Sequence, residues 1–471
     1  MKNRKVGRRA VAWVGVGGIL LGLAIAAFAA LPPLSFAPFT SVSLGPPGCQ
    51  DVDCSEGPID ATAGDFNHDG KLDIATANNG SDDVTILLGD GLGGLTSSVT
   101  LTASSGPAGI ASGDLNGDSK LDLVVSKELT NNIGVFLGKG DGTFDPEVEY
   151  DMGNSPQGVV LADFNGDGKL DVATADLFGN TVSVRLGKGD GTFGDLMQTQ
   201  VPGGPYEMAA GKLDAGDVLD LAVTLYDDSA LATLIGQGDG TFLYAGTTAT
   251  AMTDDSPRGV ALADFNHDGK LDAAVTTESC DAVDVLLGNG DGTFQPLTFT
   301  PGAPCATGAG VYGVGGFPES VVTGDFNGDG ILDLASADSF GTIDFDGTVS
   351  VLLGNGDGTF ADSQQFQVDP GPYGLVAADL NGDHLPDIVT ANLDSDNVSV
   401  LKNTGTAPVT CVGDCDGSGM VSINELIKGV NIALDEADPS TCPAFENAQG
   451  KVNIAQLIKG VNNALNGCTA G

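Results

Sequence analysis

The sequence predicts a mainly β protein: a seven-bladed β-propeller of four-stranded blades, followed by a small α-helical domain. Seven times along the 471 residues, a proline precedes an aspartate-rich loop by seven residues, and successive loops begin 49 to 61 residues apart. Periods near 50 residues are typical of propeller blades. The repeats start at Pro58, Pro107, Pro156, Pro205, Pro257, Pro318 and Pro372.

The third repeat illustrates how a blade is built. Residues 157–162 are mostly small and apolar, residues 171–176 follow the acidic loop, and residues 181–186 alternate between apolar and polar side chains. Alternation with a period of two predicts half-buried strands. A glycine-rich turn ending at Phe193 then predicts a hairpin into a fourth, looser outer strand. The small side chains of the first strand suit the crowded inner wall of a ring.

The two ends of the repeat region predict how the ring closes. The last repeat ends near Leu401 without the outer strand that follows the other turns, whereas the segment Ser35-Phe36-Ala37-Pro38 matches Thr143-Phe144-Asp145-Pro146 of a complete repeat. We therefore expect residues 36–44 to add the outer strand to the blade that contains residues 395–402. Closure of this kind protects a sheet edge from pairing with other chains.

The first 30 residues predict a targeting segment, which leaves residues 31–406 for the propeller and 407–471 for the tail domain. Five basic residues precede an apolar stretch at 10–26, and Ala27-Phe28-Ala29 offers a cleavage site. An uncleaved membrane anchor is the alternative, because the apolar stretch is just long enough to span a bilayer. We expect cleavage and a secreted or cell-surface protein.

The charge of the chain argues against two classes of partner. The formal net charge is −44, and it becomes −49 without the leader, which carries five basic and no acidic residues. Nucleic acids and anionic membrane surfaces are therefore unfavourable partners. An acidic soluble surface and a large set of metal ligands would each explain this charge, and the two explanations are compatible.

Eight cysteines in an exported chain predict disulfides. They fall into local groups, which favours pairing within each group: Cys49 with Cys54 and Cys280 with Cys305. Connectivity among the last four stays open: Cys411, Cys415, Cys442 and Cys468.

Four acidic loops have the complete pattern Asp-x-Asn-x-Asp-Gly-x-x-Asp. Calcium takes six to eight hard oxygen ligands in irregular geometry, which such a loop supplies. Zinc would require cysteine or histidine ligands. We therefore predict Ca²⁺ as the cofactor, with ligands at Asp65, Asn67, Asp69 and Asp73; Asp163, Asn165, Asp167 and Asp171; Asp264, Asn266, Asp268 and Asp272; and Asp325, Asn327, Asp329 and Asp333.

The other three loops depart from this pattern. Two keep every side-chain ligand but replace the glycine with Ser119 or His384, so we expect them to bind calcium more weakly; their ligands are Asp114, Asn116, Asp118 and Asp122, and Asp379, Asn381, Asp383 and Asp387. In the fourth repeat Lys212 replaces the first aspartate and Gly216 the third ligand. We expect no metal there, with the Lys212 ammonium reaching Asp214 or Asp220.

These motifs carry a resemblance to a known family. The pattern Pro-x6-Asp-Phe-Asn-x-Asp-Gly-x-Leu-Asp, with Leu-Gly-x-Gly-Asp-Gly-Thr-Phe, resembles the FG-GAP/VCBS repeat over roughly residues 36–406. This repeat builds the seven-bladed head of integrin α chains and occurs in many bacterial exported proteins. The resemblance implies a calcium-stabilised propeller that serves as an adhesion or ligand-binding module.

The tail contains a duplicated loop and helix. Residues 423–434 and 454–465 repeat one apolar pattern at three/four spacing, which predicts two amphipathic helices. The loop before the first helix has the EF-hand spacing, and we predict calcium ligands at Asp414, Asp416, Ser418, Ser422 and Glu425. The second copy has lost its carboxylates. This arrangement resembles a dockerin, which implies a cohesin-like scaffold as partner; a disulfide-stapled knob without such a partner is the alternative.

The sequence offers no convincing catalytic constellation. Its three histidines all lie within acidic loops, and most acidic residues are assigned to metal. An enzyme would need a histidine, a basic pair or two non-ligand carboxylates in a pocket. We expect a non-enzymatic module that binds an extracellular protein or carbohydrate, with residues 280–317 and the faces away from the acidic loops as candidate surfaces. The alternative is a calcium-dependent polysaccharide lyase or hydrolase on a propeller scaffold.

Overall fold

The computed structural model describes residues 34–44, 57–250, 256–297, 308–340 and 347–405. The predicted leader and the tail domain with its EF-hand loop lie outside these residues, as do all cysteines except Cys280. Within the described residues, no helix is long and apolar enough to cross a membrane.

The described residues contain twenty-eight strands in seven four-stranded antiparallel sheets, each of them one blade. Strand β1 is Thr40–Ser43. Blade 1 contains β2 Pro58–Gly64, β3 Asp73–Asn78, β4 Asp83–Gly89 and β5 Leu95–Thr102; blade 2 contains β6 Pro107–Gly113, β7 Asp122–Lys127, β8 Asn132–Phe136 and β9 Val148–Asp151; blade 3 contains β10 Pro156–Ala162, β11 Asp171–Asp176, β12 Thr181–Gly187 and β13 Phe193–Gln200; blade 4 contains β14 Pro205–Gly211, β15 Asp220–Leu225, β16 Ala230–Gly236 and β17 Phe242–Ala249.

The last three blades follow the same order. A short 3-10 helix, Glu278–Cys280, follows the second strand of blade 5. Blade 5 contains β18 Pro257–Ala263, β19 Asp272–Thr277, β20 Ala282–Leu286 and β21 Val311–Gly313; blade 6 contains β22 Gly316–Gly324, β23 Asp333–Phe340, β24 Thr348–Leu352 and β25 Gln364–Gln367; blade 7 contains β26 Pro372–Ala378, β27 Asp387–Asn392, β28 Asn397–Leu401 and β1.

Burial changes from the inner to the outer strand of a blade. The second strand is fully buried in six blades, as in Asp171–Asp176, whereas the outer strand Phe193–Gln200 alternates between exposed and half-buried positions. Strands covered on both faces carry continuous apolar or small residues, and strands with one wet face alternate. The sequence prediction of four strands per blade is therefore confirmed.

The hydrophobic cores lie between neighbouring blades. The phenylalanine after the first loop aspartate packs against the phenylalanine that ends the glycine-rich turn of the next blade: Phe66 with Phe144 at 6.0 Å between ring centroids, and Phe164 with Phe242 at 5.3 Å. Such tilted and edge-on pairs are favourable beyond the area they bury. The two most frequent motifs of the repeat thus join each blade to the next.

The predicted ring closure is confirmed. Strand β1 pairs antiparallel with β28, so that Thr40 faces Val400 and Ser43 faces Asn397. Phe36 forms an isolated bridge with Asn403 and packs 6.4 Å from Phe326, the place that Phe144 takes in the complete repeats.

Candidate functional site

The six predicted calcium loops share one hydrogen-bonded frame. In the first loop, Asp65 Oδ1 accepts the N–H of Asp69 at 3.1 Å and Asp65 Oδ2 accepts the N–H of Gly70 at 2.9 Å. Asn67 Oδ1 accepts the N–H of Asp69 at 2.9 Å. The same three bonds recur at 2.7–3.2 Å in the other five loops. These bonds hold the first three predicted ligands in the same turn.

The sixth position of every one of these loops has a positive φ angle. Four loops place glycine there with φ between 80° and 83°, as at Gly168 and Gly330. Ser119 and His384 take the same left-handed conformation with φ of 66° and 70°. Side chains with a Cβ pay about 1–2 kcal/mol in this conformation. The structure therefore supports the expectation that the Ser119 and His384 turns are strained.

The ninth position of each loop is a buried aspartate that ties two segments together. Asp171 Oδ2 accepts the N–H of Phe164 at 2.9 Å, and Asp171 Oδ1 accepts the N–H of Gly187 at 2.8 Å. Asp220 makes the same pair of bonds, to Leu213 and Gly236, both at 2.9 Å. Because the fourth repeat lacks the other ligands, this aspartate has a structural task that is independent of any ion.

Lysines neutralise the third ligand position in four of the loops. Lys71 Nζ lies 3.1 Å from Asp69 Oδ2. The equivalent distances are 2.9–3.4 Å in the pairs Lys120–Asp118, Lys169–Asp167 and Lys270–Asp268. The sixth and seventh repeats carry Ile331 and Leu385 at this place. In this arrangement the described residues include no three His, Cys, Asp or Glu side chains that could jointly hold a metal ion.

The chemistry of the donor set nevertheless fits calcium. Burial raises the pKa of Asp73, and the neighbouring charges of Asp69 and Asp65 raise it further. The same causes raise the pKa of Asp122, Asp171, Asp272, Asp333 and Asp387. Carboxylates that repel one another within a loop favour a cation among them.

The fourth loop differs from its predicted pairing. The Lys212 ammonium lies 3.6 Å from Asp217 Oδ1, so the expected partners Asp214 and Asp220 are wrong. Asp220 is buried and its two oxygens already accept backbone N–H groups, and Asp214 Oδ1 accepts the N–H of Gly216 at 2.6 Å. Exposed Asp217 is the acid that remains accessible to the lysine.

The other end of the inner strands carries a second set of polar residues. In all seven inner strands, the pairing register shifts between the proline and the residue two or three positions later. Such bulges re-aim side chains and are frequent next to functional sites. Here a cavity of about 190 Å³ is lined by all seven inner strands, in six of them through the residues one and two positions after the proline and in blade 5 through Gly259 and Val260. We call it the axial cavity.

Glycines at the second position after the proline allow close approach of neighbouring blades, and one of them makes room for an acid. Gly109, Gly158, Gly259 and Gly374 occupy this position in four blades, whereas blades 1 and 4 place Asp60 and Glu207 there. A Cβ on Gly158 would lie 2.3 Å from Glu207 Oε1. The absence of a side chain at residue 158 is therefore what allows the Glu207 carboxylate to occupy its place.

Asp60 and Glu207 are carboxylates held within protein. Asp60 accepts the N–H groups of Ala61 and Ile110, each at 2.8 Å, and Glu207 Oε1 accepts the N–H of Met208 at 2.9 Å. Burial raises the pKa of Asp60 to about 6. Burial, and secondly the charge of Asp60, raise the pKa of Glu207 to about 8. The two groups thus differ in their affinity for protons.

Arg258 lies behind the axial cavity and holds two of the tyrosines that line it. Its guanidinium lies 4.9 Å from the ring centroid of Tyr206 and 5.6 Å from that of Tyr373, and it donates to both hydroxyls. Arg258 Nε lies 2.9 Å from Glu278 Oε2, and a terminal nitrogen lies 3.1 Å from Glu319 Oε2. Its charge is therefore already shared between two carboxylates and aromatic faces.

Further along the same strands the wall becomes apolar. A second cavity of about 380 Å³ is lined by small and aliphatic residues with two threonines, among them Ala61, Val322 and Leu375, and it shares Val321 with the axial cavity. These residues follow directly on those of the axial cavity, in the direction of the acidic loops. We call this part the apolar section.

The axial cavity opens toward the face opposite the acidic loops. Each inner strand begins at its proline and ends where an acidic loop begins, so the prolines and the loops lie at opposite ends of the strands. Because neighbouring strands are antiparallel, the turns after the second strands share the proline face. This face carries exposed Leu129 and Phe178 and the edge-on pair of Phe317 and Phe340.

Comparison with family models decides the family. The model of the FG-GAP-like repeat matches six times, each match running from one acidic loop past the start of the next: residues 65–125, 114–174, 163–219, 213–275, 264–336 and 325–390. The chain belongs to the FG-GAP-like repeat family. Six matches connect seven loops, so this FG-GAP-like repeat protein contains the seven copies counted in its sequence.

Known structures agree on the fold of this FG-GAP-like repeat protein. It resembles a crystal structure of virginiamycin B lyase from Staphylococcus aureus, with 16% identity, a TM-score of 0.50, and coverage of 78% of this chain and 99% of that one. It also resembles a protein from Lactobacillus plantarum, with 13% identity, a TM-score of 0.51, and coverage of 68% of this chain and 88% of that one. At these identities the likeness concerns the fold alone. No curated protein matches the sequence.

The axial residues were missed by sequence reasoning, although a signal was present. The first strand is rich in small residues overall, but a comparison of the seven repeats at the position after the proline shows very different side chains. That comparison gives Ile59, Ala108, Gln157, Tyr206, Arg258, Glu319 and Tyr373. Large polar residues at a single position of an otherwise small-sided strand are a departure that the repeat itself does not explain.

Proposed function

We propose that this protein is a calcium-stabilised, secreted or cell-surface binding module whose propeller recognises its ligand at the axial cavity. One observation carries the proposal: all seven inner strands contribute to a single cavity that contains Asp60 and Glu207 outside the acidic loops. Concave sites with a few convergent polar groups and shifted pKa values are the usual place of ligand recognition.

The apolar residues of the proline face support this location. Leu129 and Phe178 are 70% and 73% exposed, and Phe317 and Phe340 pack 5.2 Å apart at the surface. Leu129 and Phe178 lie on turns, and Phe317 and Phe340 at strand ends, on the face nearest the axial cavity. Exposed apolar groups beside a cavity favour contact with a partner larger than the cavity itself.

Calcium is proposed as a stabiliser of the loop face. Support comes from six loops that align three oxygen ligands on the same backbone frame and from the repulsion among their carboxylates. Each ion would pin one hairpin of a glycine-rich ring. The EF-hand loop at 414–425 is proposed as a further calcium site, and the tail as an attachment to a cohesin-like scaffold.

A second candidate function is a calcium-dependent polysaccharide lyase or hydrolase. The observation that favours it is the pair of Asp60 and Glu207, two non-ligand carboxylates in one cavity with pKa values of about 6 and 8. At neutral pH the first would be mostly ionised and the second mostly protonated, as an acid and a base require. Our primary proposal remains recognition without turnover.

A glycan and extracellular-matrix array tests the proposal. The mature chain, residues 31–471, is applied with calcium and then with chelator, beside the variants Glu207→Gln and Asp239→Asn. Asp239 lies in an exposed turn and serves as the matched control. We expect calcium-dependent binding that Glu207→Gln abolishes and Asp239→Asn leaves intact. Release of reducing ends or unsaturated products from a bound polysaccharide would favour the enzyme, and binding insensitive to Glu207→Gln would remove the axial cavity as the site.

A further inference from the structure

Two carboxylates of the axial cavity have no counter-ion. Among the residues that line this cavity there is no lysine, arginine or histidine. Arg258, behind the tyrosine wall, is paired with Glu278 and Glu319. Within the described part of the chain, Asp60 and Glu207 take part in no ion pair. A buried charge without a partner is costly, and such groups are normally paired or serve a ligand.

One oxygen of this pair is left without a protein donor. Glu207 Oε1 accepts the N–H of Met208, and no hydrogen bond reaches Glu207 Oε2 from the described residues. An ionised carboxylate can only accept hydrogen bonds. A cationic donor at this place would displace the proton of Glu207, hold both carboxylates in their ionised form and offset the repulsion between Asp60 and Glu207.

The surroundings of the carboxylates restrict the rest of the ligand. On four inner strands the axial residues are followed at once by those of the apolar section, as Asp60 by Ala61 and Gly374 by Leu375. The axial cavity holds about 190 Å³ and the apolar section about 380 Å³. A polar head between the carboxylates and an aliphatic chain along Val321 and Val322 would match both parts.

We propose that the axial cavity binds a primary ammonium group carried on a short aliphatic chain. This inference rests on the proposed function, in which the axial cavity is the ligand site. An ammonium supplies three N–H donors and a compact positive charge, which suit two acceptor-only carboxylates. A neutral hydroxyl supplies a donor but leaves both charges uncompensated.

Calorimetry with alkylamines tests the inference. The calcium-loaded mature chain is titrated at pH 7.5 with n-propylamine, n-butylamine and n-hexylamine, and with the matched alcohols. We expect the amines to bind and the alcohols to fail, with affinity rising about fourfold per methylene while the apolar section fills. Binding should release protons, measured in two buffers of different ionisation enthalpy, because the ammonium displaces the proton that most Glu207 carboxyl groups carry at this pH.

Variants separate the axial cavity from unspecific attraction to an acidic protein. Glu207→Gln and Asp60→Asn should each weaken amine binding at least tenfold. Gly158→Ala retains both charges but displaces the Glu207 carboxylate, and it should weaken binding as well. Asp239→Asn removes a surface charge far from the cavity and should change nothing. Equal effects of Glu207→Gln and Asp239→Asn would overturn the inference.

The source of the ammonium is resolved by a second titration. A lysine capped at both backbone ends carries the same group on four methylenes, but it also carries a bulky backbone. Binding of capped lysine that is lost in Glu207→Gln would assign the site to a lysine side chain of a partner protein. Binding of the alkylamines alone would assign it to a free small amine.

Failure of this inference is distinguishable from failure of the proposed function. If no amine binds, but an array ligand binds and is lost in Glu207→Gln, the axial cavity remains the ligand site and only the ammonium chemistry is wrong. If neither amines nor array ligands depend on Glu207, the axial cavity is not a recognition site and both proposals fall.

Discussion

The carboxylates at the two ends of the inner strands have opposite consequences for the fold. At the loop end, the same aspartates recur in blade after blade and hold backbone N–H groups, as Asp171 and Asp220 do. At the axial end, Asp60, Glu207 and Glu319 occur in three blades only, and Glu207 accepts a single backbone N–H from the described residues although burial raises its pKa to about 8. The repeated acids support the scaffold, and the acids that are not repeated lie at the proposed ligand site.

Among the changes that test this comparison, removal of calcium should have the largest effect on the stability of the protein. A site held at 100 times its Kd contributes about 2.7 kcal/mol to folding, and six such sites act together. We therefore expect excess chelator to lower Tm by well over ten degrees. Circular dichroism measures it, because the only tryptophan, Trp13, lies in the leader. An unchanged melting curve in chelator would refute a structural role for calcium.

Replacement of the ninth-position aspartate separates its two tasks. Asp220→Ala leaves the N–H groups of Leu213 and Gly236 without their acceptor, and we expect a loss of about 4 kcal/mol, from about 2 kcal/mol for each buried donor. Because the fourth loop lacks the other ligands, the loss should be equal with calcium and with chelator. Asp171→Ala should lose more with calcium than without it. Denaturant unfolding under both conditions compares the two variants.

Replacement of Glu207 should stabilise the protein, in contrast to replacement of Asp220. Its pKa is about 8 in the folded protein and 4.5 ordinarily, so the folded state holds the proton more tightly. Stability is then lost as the pH rises from about 4.5 to about 8, where the folded protein must give up that proton. We expect the stability of Glu207→Gln to equal that of the wild type at pH 5 and to exceed it by about 2 kcal/mol at pH 9. This figure allows for screening by water in the axial cavity. A variant that is destabilised at pH 9 would show that Glu207 supports the scaffold.

The smallest effect concerns the sixth position of the loops. Ser119→Gly should relieve the left-handed strain of Ser119 and stabilise the protein by about 1 kcal/mol, whereas Gly168→Ser should cost a similar amount. Because the same turn presents the ligands, Ser119→Gly should also raise the calcium affinity of its loop. Thermal unfolding at limiting calcium measures both the change in stability and the change in calcium affinity. No difference between the two variants would mean that the serine conformation is unstrained.

The repeat carried enough information to predict the scaffold. Strand order, blade number and the pairing of residues 36–44 with 395–402 follow from motifs that recur with a fixed period, and the structure confirms them. The calcium ligands remain a prediction, because side chains that share one loop show only that an ion would fit. The pairing of Lys212 was wrong because the sequence does not tell which acids are committed to backbone N–H groups.

The axial cavity was beyond this kind of prediction. Asp60 and Glu207 are 147 residues apart and belong to blades 1 and 4, and only the circular arrangement brings them to one cavity. Within its own repeat each appears as an ordinary variation. Their significance depends on the bulges after the prolines, which are a property of the backbone pairing, and on the missing side chain at Gly158, which leaves room for an acid from another blade.

The closing strand determines how the ring responds to mechanical load. Phe36 and Asn403 pair at one end of the β1–β28 ladder, and Ser43 and Asn397 pair at the other. Tension applied through the chain at residues 34 and 405 therefore reaches the Phe36–Asn403 bridge first. It would open the ladder one hydrogen bond at a time, as a zipper opens, instead of shearing all bonds together. A load of this kind would therefore act on the seam before it acted on the strand pairs of the other six blades.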